Sequence, residues 1–199
     1  LKPVARYSGV ESTYFDGVGE CEAWHEGFMP WLLDLEVLQG LRSGTQKTVR
    51  WPGYAAKVTL LRDVGLLSLE PVEVDGAQVS PKKVLDAVLY PRVRLEEGER
   101  DITCFRVVAR GRQDGHGQVY EIEMVDRYDE SLGFTSMART TAFTGALVGR
   151  MAARGEIRGQ GLRTPEQLVT GRLFDRLVDE LAAAGVRFSM TSRSVEILD

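Results

Sequence analysis

The sequence predicts an α+β domain in which a mixed, largely antiparallel sheet is covered by helices. Two β-rich runs, Ile102 to Arg110 and Val119 to Val125, flank the glycine-containing link GRQDGHGQ, a pattern typical of a β-hairpin. The predicted helices do not alternate regularly with strands, which argues against an all-parallel sheet. The chain contains no internal repeat and no low-complexity tract. We therefore expect a single domain over residues 1–199.

The first third of the chain predicts one strand, one loop and one helix. Gly17 to Trp24 alternates small or apolar with acidic residues, as a half-buried strand does. His25 to Pro30 has the composition of a loop. Trp51-Pro-Gly53 precedes a helix from about Tyr54 to Val64, whose apolar positions share one face, and Gly65 stands where a helix-ending glycine belongs.

A short strand and a helix follow. Val72 to Val74 reads as a strand that enters an Asp75-Gly76 turn. Ser80-Pro81 combines a helix-capping serine with proline at the first helical position, so a helix is expected to about Leu89. Because proline lacks an N–H group, we expect Pro91 to end that helix.

The C-terminal half predicts two long helices and two short strands. Phe134 to Ala153 reads as one helix, with Thr135 or Ser136 available as its cap. Thr164 to Gln167 has the pattern of a capping box and opens a second helix that closes at Gly185. The two strands are predicted at Val186–Met190 and Val195–Leu198.

Composition excludes several classes of function. The 199 residues carry 25 Lys and Arg against 29 Asp and Glu, with both signs interspersed, so the basic stripe of a nucleic-acid-binding protein is absent. No apolar run is long enough for a membrane helix. Two cysteines form no disulfide framework, which favours a cytoplasmic location. With two histidines, His25 and His116, no His-rich metal site is expected.

The sequence also lacks the glycine fingerprint of a dinucleotide-binding loop. Gly17-Val-Gly19 misses the third glycine, and Gly159-Gln-Gly161 lies between predicted helices rather than after a strand. The chain begins with Leu1 instead of methionine. We therefore expect a piece of a longer protein that has little chemistry of its own.

Two segments resemble a known family. Thr48-Val-Arg-Trp-Pro-Gly-Tyr-Ala-Ala-Lys57 continues to Leu60-Leu-Arg-Asp-Val-Gly-Leu-Leu67, and Asp126 to Phe143 contains Met137-Ala-Arg-Thr-Thr141. Both are similar to motifs of the saccharopine dehydrogenase-like family, which includes lysine 6-dehydrogenase. Val79 to Leu85 and the Gly-Leu-Arg-Thr-Pro-Glu166 stretch add weaker matches. The matches are collinear from about residue 45 to 185.

The resemblance implies half of an enzyme. Family members combine an N-terminal Rossmann domain, which holds NAD or NADP, with a second α+β domain that binds substrate and forms a homodimer. This chain resembles the second domain, so the Rossmann domain is expected upstream, and the fragment alone is expected to be inactive. The implied reaction is oxidation at a C–N bond of an amino acid, as in conversion of lysine to 2-aminoadipate 6-semialdehyde and ammonia. A saccharopine- or carboxynorspermidine-type dehydrogenase, or a non-catalytic ligand-binding or dimerisation module, is the alternative.

An amino-acid substrate needs a cation, an anion and apolar walls. Arg50 is the candidate for its carboxylate, because guanidinium pairs bidentately with carboxylates; the alternative is that Arg50 stacks on Trp51 or is solvated at a strand end. Trp51 and Tyr54 could wall an aliphatic or cationic chain, or serve as ordinary packing aromatics.

Trp24-His25-Glu26-Gly27 aligns with a family loop that approaches substrate. Glu26 keeps an anion there. His25 is the candidate for proton transfer, with a solvated histidine as the alternative.

The Met-Ala-Arg-Thr-Thr motif supplies a second set of residues. Arg139 is expected to pair with Asp126 or Asp129 and so fix a strand–helix junction, or to meet cofactor or substrate across a cleft. Thr140 and Thr141 belong to the same motif.

Overall fold

The computed structural model describes residues 2–195 of the chain. These residues form strands and helices in which the pairings between named strands are antiparallel. The prediction of an α+β fold with a largely antiparallel sheet is confirmed. The chain divides into two compact units, Leu1–Glu99 and Arg100–Asp199. Among the described residues, no helix has both the length and the apolar character needed to cross a bilayer.

The first unit is built on a three-stranded antiparallel sheet. Its strands are β1 (Glu11–Phe15), β2 (Gly19–Glu26) and β3 (Gln46–Arg50), with β2 in the centre. In the register of β2 with β3, Glu22 lies opposite Arg50 and Trp24 opposite Thr48. Because side chains alternate along a strand, Glu22, Trp24 and Glu26 share one face of the sheet.

The predicted loop at residues 25–30 starts two residues later than expected. His25 and Glu26 are the last residues of β2 and pair with Lys47 and Gln46 of β3. The sequence alone gave no sign of this pairing because β3 lies about twenty residues further along the chain. Two short 3₁₀ helices, Pro30–Asp34 and Glu36–Leu38, then fill much of the connection to β3.

The rest of the first unit is α1 (Tyr54–Asp63), a hairpin of β4 (Val72–Val74) with β5 (Ala77–Val79), and α2 (Pro81–Val93). The prediction that Pro91 ends α2 is wrong, since Pro91 lies inside the helix. It occupies the last turn, where the missing N–H group interrupts the helix only near its end. The N–H of Arg94 still donates to the carbonyl of Tyr90 and closes that turn.

The second unit is built on a longer antiparallel sheet. Its strands are β6 (Ile102–Gln113), β7 (His116–Arg127) and β8 (Ser189–Val195), with β7 in the centre. The predicted hairpin forms, and its strands extend into the glycine-containing link until only Asp114 and Gly115 remain in the turn. Both have positive φ, 51° and 81°, as a two-residue type I′ turn requires.

The long predicted helix near residue 140 is interrupted. It consists of α3 (Ser136–Ala138), a π-helical segment at Arg139–Phe143, and α4 (Thr144–Ala153). The Oγ1 atom of Thr135 caps its start by accepting the N–H of Ala138 at 3.1 Å.

The last predicted helix is two helices, α5 (Pro165–Leu168) and α6 (Arg172–Ala183), separated at Gly171, whose φ is 52°. Among the described residues one strand, β8, follows α6, and it begins at Ser189, three residues later than the predicted start at Val186. Of the second predicted strand, Val195–Leu198, Val195 is the last residue of β8, and positions 196–198 lie outside the described residues. The core of this unit is formed by buried apolar residues of β7, α4 and α6 and of the segments on either side of α6. These residues are Met124, Leu147, Met151, Val169, Leu177, Leu181 and Val186.

Candidate substrate-binding site

The start of α1 is held by a side chain from the sheet. The residue that precedes α1 is Gly53, with φ +88° and no side chain to cap the helix. Glu22 of β2 takes that role: its two carboxylate oxygens accept the N–H groups of Gly53 at 2.7 Å and Ala55 at 2.5 Å. A carboxylate at a helix N-terminus also stabilises the helix dipole. The turn between Arg50 and Tyr54 is therefore fixed against β2.

An aromatic stack grows from this junction. Trp24, only 2% exposed, lies parallel to Tyr54, with ring centroids 5.5 Å apart and planes 3° apart. Tyr7 packs on the same indole at 5.8 Å with a 53° tilt. Trp24 is thus held by aromatic rings from two separate segments of the unit.

Arg50 contacts the second ring of this stack, Tyr54. Its guanidinium carbon lies 6.0 Å from the centroid of the Tyr54 ring, which is within range of a cation–π contact. Its Nη1 donates to the carbonyl of Val49 at 2.7 Å. Trp51, 58% exposed, follows in the turn before α1. Of the two predicted wall residues, Tyr54 therefore stacks against Trp24, while the Trp51 side chain is mostly open to solvent.

Glu26 is oriented by its neighbours. One carboxylate oxygen accepts the hydroxyl of Thr48 at 2.9 Å, and the other accepts the N–H of Gly27 at 3.2 Å. Thr48 lies opposite Trp24 on β3, so this bond runs along the face that carries Trp24. The carboxylate is exposed and retains free lone pairs for a ligand.

His25 takes its position from Gly9. Strand alternation places His25 on the opposite face from Trp24 and Glu26. Its backbone N–H donates to the carbonyl of Ser8 at 3.0 Å. A Cβ atom on Gly9, whose φ is +63°, would collide with the imidazole ring. A residue with a side chain at position 9 would displace the histidine.

A small open pocket of about 120 Å³ lies where β2 ends. It is lined by Arg6, Tyr7, Trp24, His25 and Glu26. The sequence predicted the last three as site residues and missed the first two. Arg6 and Tyr7 lie in an irregular segment before β1, and no sequence motif predicts a role for them. The adjacent Tyr7-Ser-Gly9 indicates a turn but not a pocket.

The second unit contains the predicted charged cluster around Arg139. Arg139, 5% exposed, lies at ion-pair distance from Asp126 at 3.4 Å and Asp129 at 3.5 Å. Its Nη atoms also donate to the carbonyls of Arg127 and Ala184, each at 3.2 Å. The guanidinium therefore joins β7, the turn after it and the end of α6. Within this unit it is a buried structural contact.

Asp129 is held as an anion by several donors. Hydrogen bonds from the Ser131 hydroxyl and from the backbone N–H of Leu132 and Ser131, with the nearby charge of Arg139, lower the pKa of Asp129 below its usual value. The two predicted threonines bond within their helix. Thr140 donates to the carbonyl of Ser136 at 2.9 Å, and Thr141 contacts the sulfur of Met137 at 3.5 Å.

The pocket at the end of β2 has the chemistry of a binding site for a small charged molecule. Its lining includes the guanidinium-bearing Arg6, the carboxylate-bearing Glu26 and two aromatic residues, of which Trp24 is only 2% exposed, and His25 borders it from the opposite face of β2. Across residues 2–195, no group of three or more His, Cys, Asp or Glu side chains is placed to hold a metal ion.

Comparison with known proteins identifies the family. The model of the saccharopine dehydrogenase C-terminal domain matches residues 29–186. The carboxynorspermidine synthase of Vibrio cholerae is 28% identical over 128 residues, which are 59% of this chain and 30% of that protein. The solved apo saccharopine dehydrogenase (L-Glu forming) from Saccharomyces cerevisiae shares the fold, with a TM-score of 0.72 and 17% identity. That match covers 94% of this chain and 55% of the yeast chain, so our chain spans only part of either relative. The protein belongs to the saccharopine dehydrogenase C-terminal domain family.

Proposed function

We propose that this chain is the substrate-binding domain of a nicotinamide-dependent oxidoreductase that acts on a C–N bond of an amino acid. The observation that carries the proposal is the pocket at the end of β2, where Arg6, Glu26 and the Trp24 and Tyr7 rings border one space. A zwitterionic amino acid presents a carboxylate, an ammonium group and an aliphatic chain, and each finds a complementary group there. Membership of the saccharopine dehydrogenase C-terminal domain family supports this reaction class.

The described residues do not fit a nicotinamide dinucleotide. Such a cofactor binds where a glycine-rich loop joins a parallel strand to a helix. Within residues 2–195 the named strands pair antiparallel, and neither Gly17-Val-Gly19 nor Gly159-Gln-Gly161 joins a strand to a helix. NAD or NADP is therefore proposed to bind on a Rossmann domain outside this chain, and no step of the reaction is assigned to the cofactor here.

The residues of this chain bind and orient the substrate. Glu26, held by Thr48 and Gly27, faces the pocket as the anion. Trp24 and Tyr54 form a rigid aromatic support, and Arg50 lies over the outer ring. His25 borders the same pocket and is the candidate for moving a proton, since an imidazole carries one nitrogen that can donate and one that can accept.

L-Lysine is the leading substrate, with 2-aminoadipate 6-semialdehyde and ammonia as products. The similarity to the Vibrio cholerae carboxynorspermidine synthase favours a second candidate, a carboxylated polyamine. Both substrates combine a carboxylate with amines on an aliphatic chain. A non-catalytic module that binds the same ligands is the remaining alternative.

The deciding experiment uses the full-length protein with NAD or NADP. Dinucleotide absorbance is followed with L-lysine, saccharopine and carboxynorspermidine as substrates. Turnover of any of them supports the oxidoreductase, and the preferred one identifies the substrate. Binding of an amino acid without any change in dinucleotide absorbance would favour the non-catalytic module.

The homodimer expected for this family is proposed for this protein as well. Sedimentation equilibrium of the full-length protein measures it directly. A mass of two chains supports the proposal, and a monomer at micromolar concentration contradicts it.

A further inference from the structure

We propose that Arg6 and Glu26 together select the α-amino-acid head group, with Arg6 binding the carboxylate and Glu26 the ammonium. The inference rests on the proposed function, because it concerns how the same pocket recognises its substrate. Arg6 thereby takes the carboxylate-binding role that the sequence predicted for Arg50.

Arg6 is placed at the pocket by a tied segment of backbone. The carbonyl of Arg6 accepts a hydrogen bond from Nη1 of Arg62 in α1 at 3.0 Å. On the other side, Ser8 closes a turn: its N–H and its hydroxyl donate to the carbonyl of Ala5 at 3.2 and 2.6 Å. The carbonyl of Ser8 in turn accepts the N–H of His25. The backbone that carries the Arg6 side chain is therefore hydrogen-bonded to both α1 and β2.

Tyr7 shows that this turn is held under strain. Its φ is 61°, a left-handed conformation that is costly for a residue with a bulky side chain. The conformation brings the ring onto Trp24, where the centroids lie 5.8 Å apart. Strained residues of this kind concentrate at binding sites, because the surrounding contacts must hold them. Here the strained residue stands between Arg6 and the aromatic wall of the pocket.

Arg50 is engaged elsewhere. Its guanidinium lies over the Tyr54 ring and donates to the carbonyl of Val49, and it does not line the pocket. Arg6 does line it, together with Glu26. A guanidinium binds a carboxylate through two parallel N–H groups, and a carboxylate accepts charge-assisted N–H bonds from an ammonium group. The pair therefore matches both charges of an amino-acid head group, whereas a plain diamine can pair with Glu26 and leaves Arg6 without a partner.

Three probes separate the two charges. L-Lysine carries both head-group charges, cadaverine lacks the carboxylate, and 6-aminohexanoate lacks the α-ammonium. Calorimetric titration of the full-length protein measures the affinity of each probe for the wild type and for Arg6→Ala, Arg6→Lys and Glu26→Gln. Arg94→Ala, at the end of α2 in the same unit, controls for the loss of one positive charge.

The expected pattern is specific to each variant. Arg6→Ala lowers the affinity for L-lysine and for 6-aminohexanoate by about tenfold or more, because a charge-assisted pair is worth at least that factor. The affinity of this variant for cadaverine stays unchanged. Arg6→Lys, which keeps the charge and the fold, gives an intermediate loss. Glu26→Gln lowers the affinity for L-lysine and leaves the affinity for 6-aminohexanoate unchanged. Arg94→Ala changes none of the three.

Two results overturn the assignment: no binding of L-lysine to the wild type, or an Arg6→Ala variant that binds L-lysine normally or loses cadaverine equally. Failure of the proposed function looks different. In that case the probes bind with the expected pattern, while dinucleotide absorbance stays constant with every substrate. Turnover combined with normal L-lysine binding by Arg6→Ala would reject only the role of Arg6.

Discussion

The Trp24 indole and the Tyr54 ring lie face to face, with centroids 5.5 Å apart and planes 3° apart. Trp24 comes from the centre of a sheet and Tyr54 from the first residue of the helix packed on it. The stack therefore joins α1 to the strand that carries three of the residues lining the candidate pocket, and its loss is expected to loosen both elements.

Replacing Tyr54 tests this contact. Tyr54→Leu should lower the free energy of unfolding by about 1 kcal/mol, the usual worth of an aromatic pair beyond its buried area. Tyr54→Phe keeps the stack and should stay near wild type. Trp51→Leu is the matched control, because that neighbouring ring is 58% exposed. Urea denaturation measures all three, and an equal loss for Tyr54→Leu and Trp51→Leu would contradict the expectation.

Glu22 caps α1 from a distance of more than thirty residues in sequence. Glu22→Ala leaves the N–H groups of Gly53 and Ala55 without their acceptor and should cost about 2 kcal/mol. Glu22→Gln retains an acceptor oxygen and should cost roughly half as much. Glu73→Ala, an exposed position on β4, serves as the control and should change stability little. Thermal unfolding gives the ranking, and a Glu22→Ala variant as stable as the control would refute the capping role.

Arg139 neutralises a carboxylate that is itself only 6% exposed, Asp126. Arg139→Met leaves that charge buried without its partner, which should destabilise the protein by about 3 kcal/mol or more. Adding Asp126→Asn removes the unpaired charge and should recover a large part of the loss. A double variant no more stable than Arg139→Met would show that the ion pair is not the cause. Denaturant titration of the single and double variants makes the comparison.

Asp129 should make the free energy of unfolding depend on pH in the acid range. Its pKa is lowered in the folded protein, mainly by the Ser131 hydroxyl, so the folded state binds its proton less readily than the unfolded state does. Its contribution is then fully present above the usual carboxyl pKa of 3.8 and is lost as the pH falls through the lowered value. The stability difference between wild type and Asp129→Asn should be constant near neutral pH and shrink below about pH 4. Denaturation curves between pH 2.5 and 7, on the order of one per pH unit, test the trend. A difference independent of pH would contradict it.

The parts of the fold that were predicted correctly from the sequence are those that depend on the backbone preferences of single residues. Gly65, with φ +83°, follows α1 as a helix-ending glycine should, and the Asp75-Gly76 turn closes its hairpin with positive φ at both residues. Such residues act through their own backbone preferences. They can be read without knowing what the chain packs against.

The parts that were missed depend on contacts between distant residues. His25 and Glu26 join β2 because β3 arrives beside them, and Gly171 splits the last predicted helix although the capping residues before it suit a longer one. The candidate site shows the same division. Trp24, His25 and Glu26 were found from a family motif, whereas Arg6 and Tyr7 border the pocket only because a strained turn folds back onto β2.

The π-helical segment at Arg139–Phe143 has a consequence for the length of the chain. A π turn holds one more residue in each hydrogen-bonded ring than an α turn does. Because a π turn takes more residues for the same rotation, the segment absorbs one extra residue while α3 and α4 keep the phase of one continuous helix. Removing one residue from it would let it close as ordinary α-helix and would leave Leu147 and Met151 facing Leu177 and Leu181. A deletion at the start of α4 would instead rotate those core residues by about 100°, so it is expected to cost more stability than a deletion in the π-helical segment.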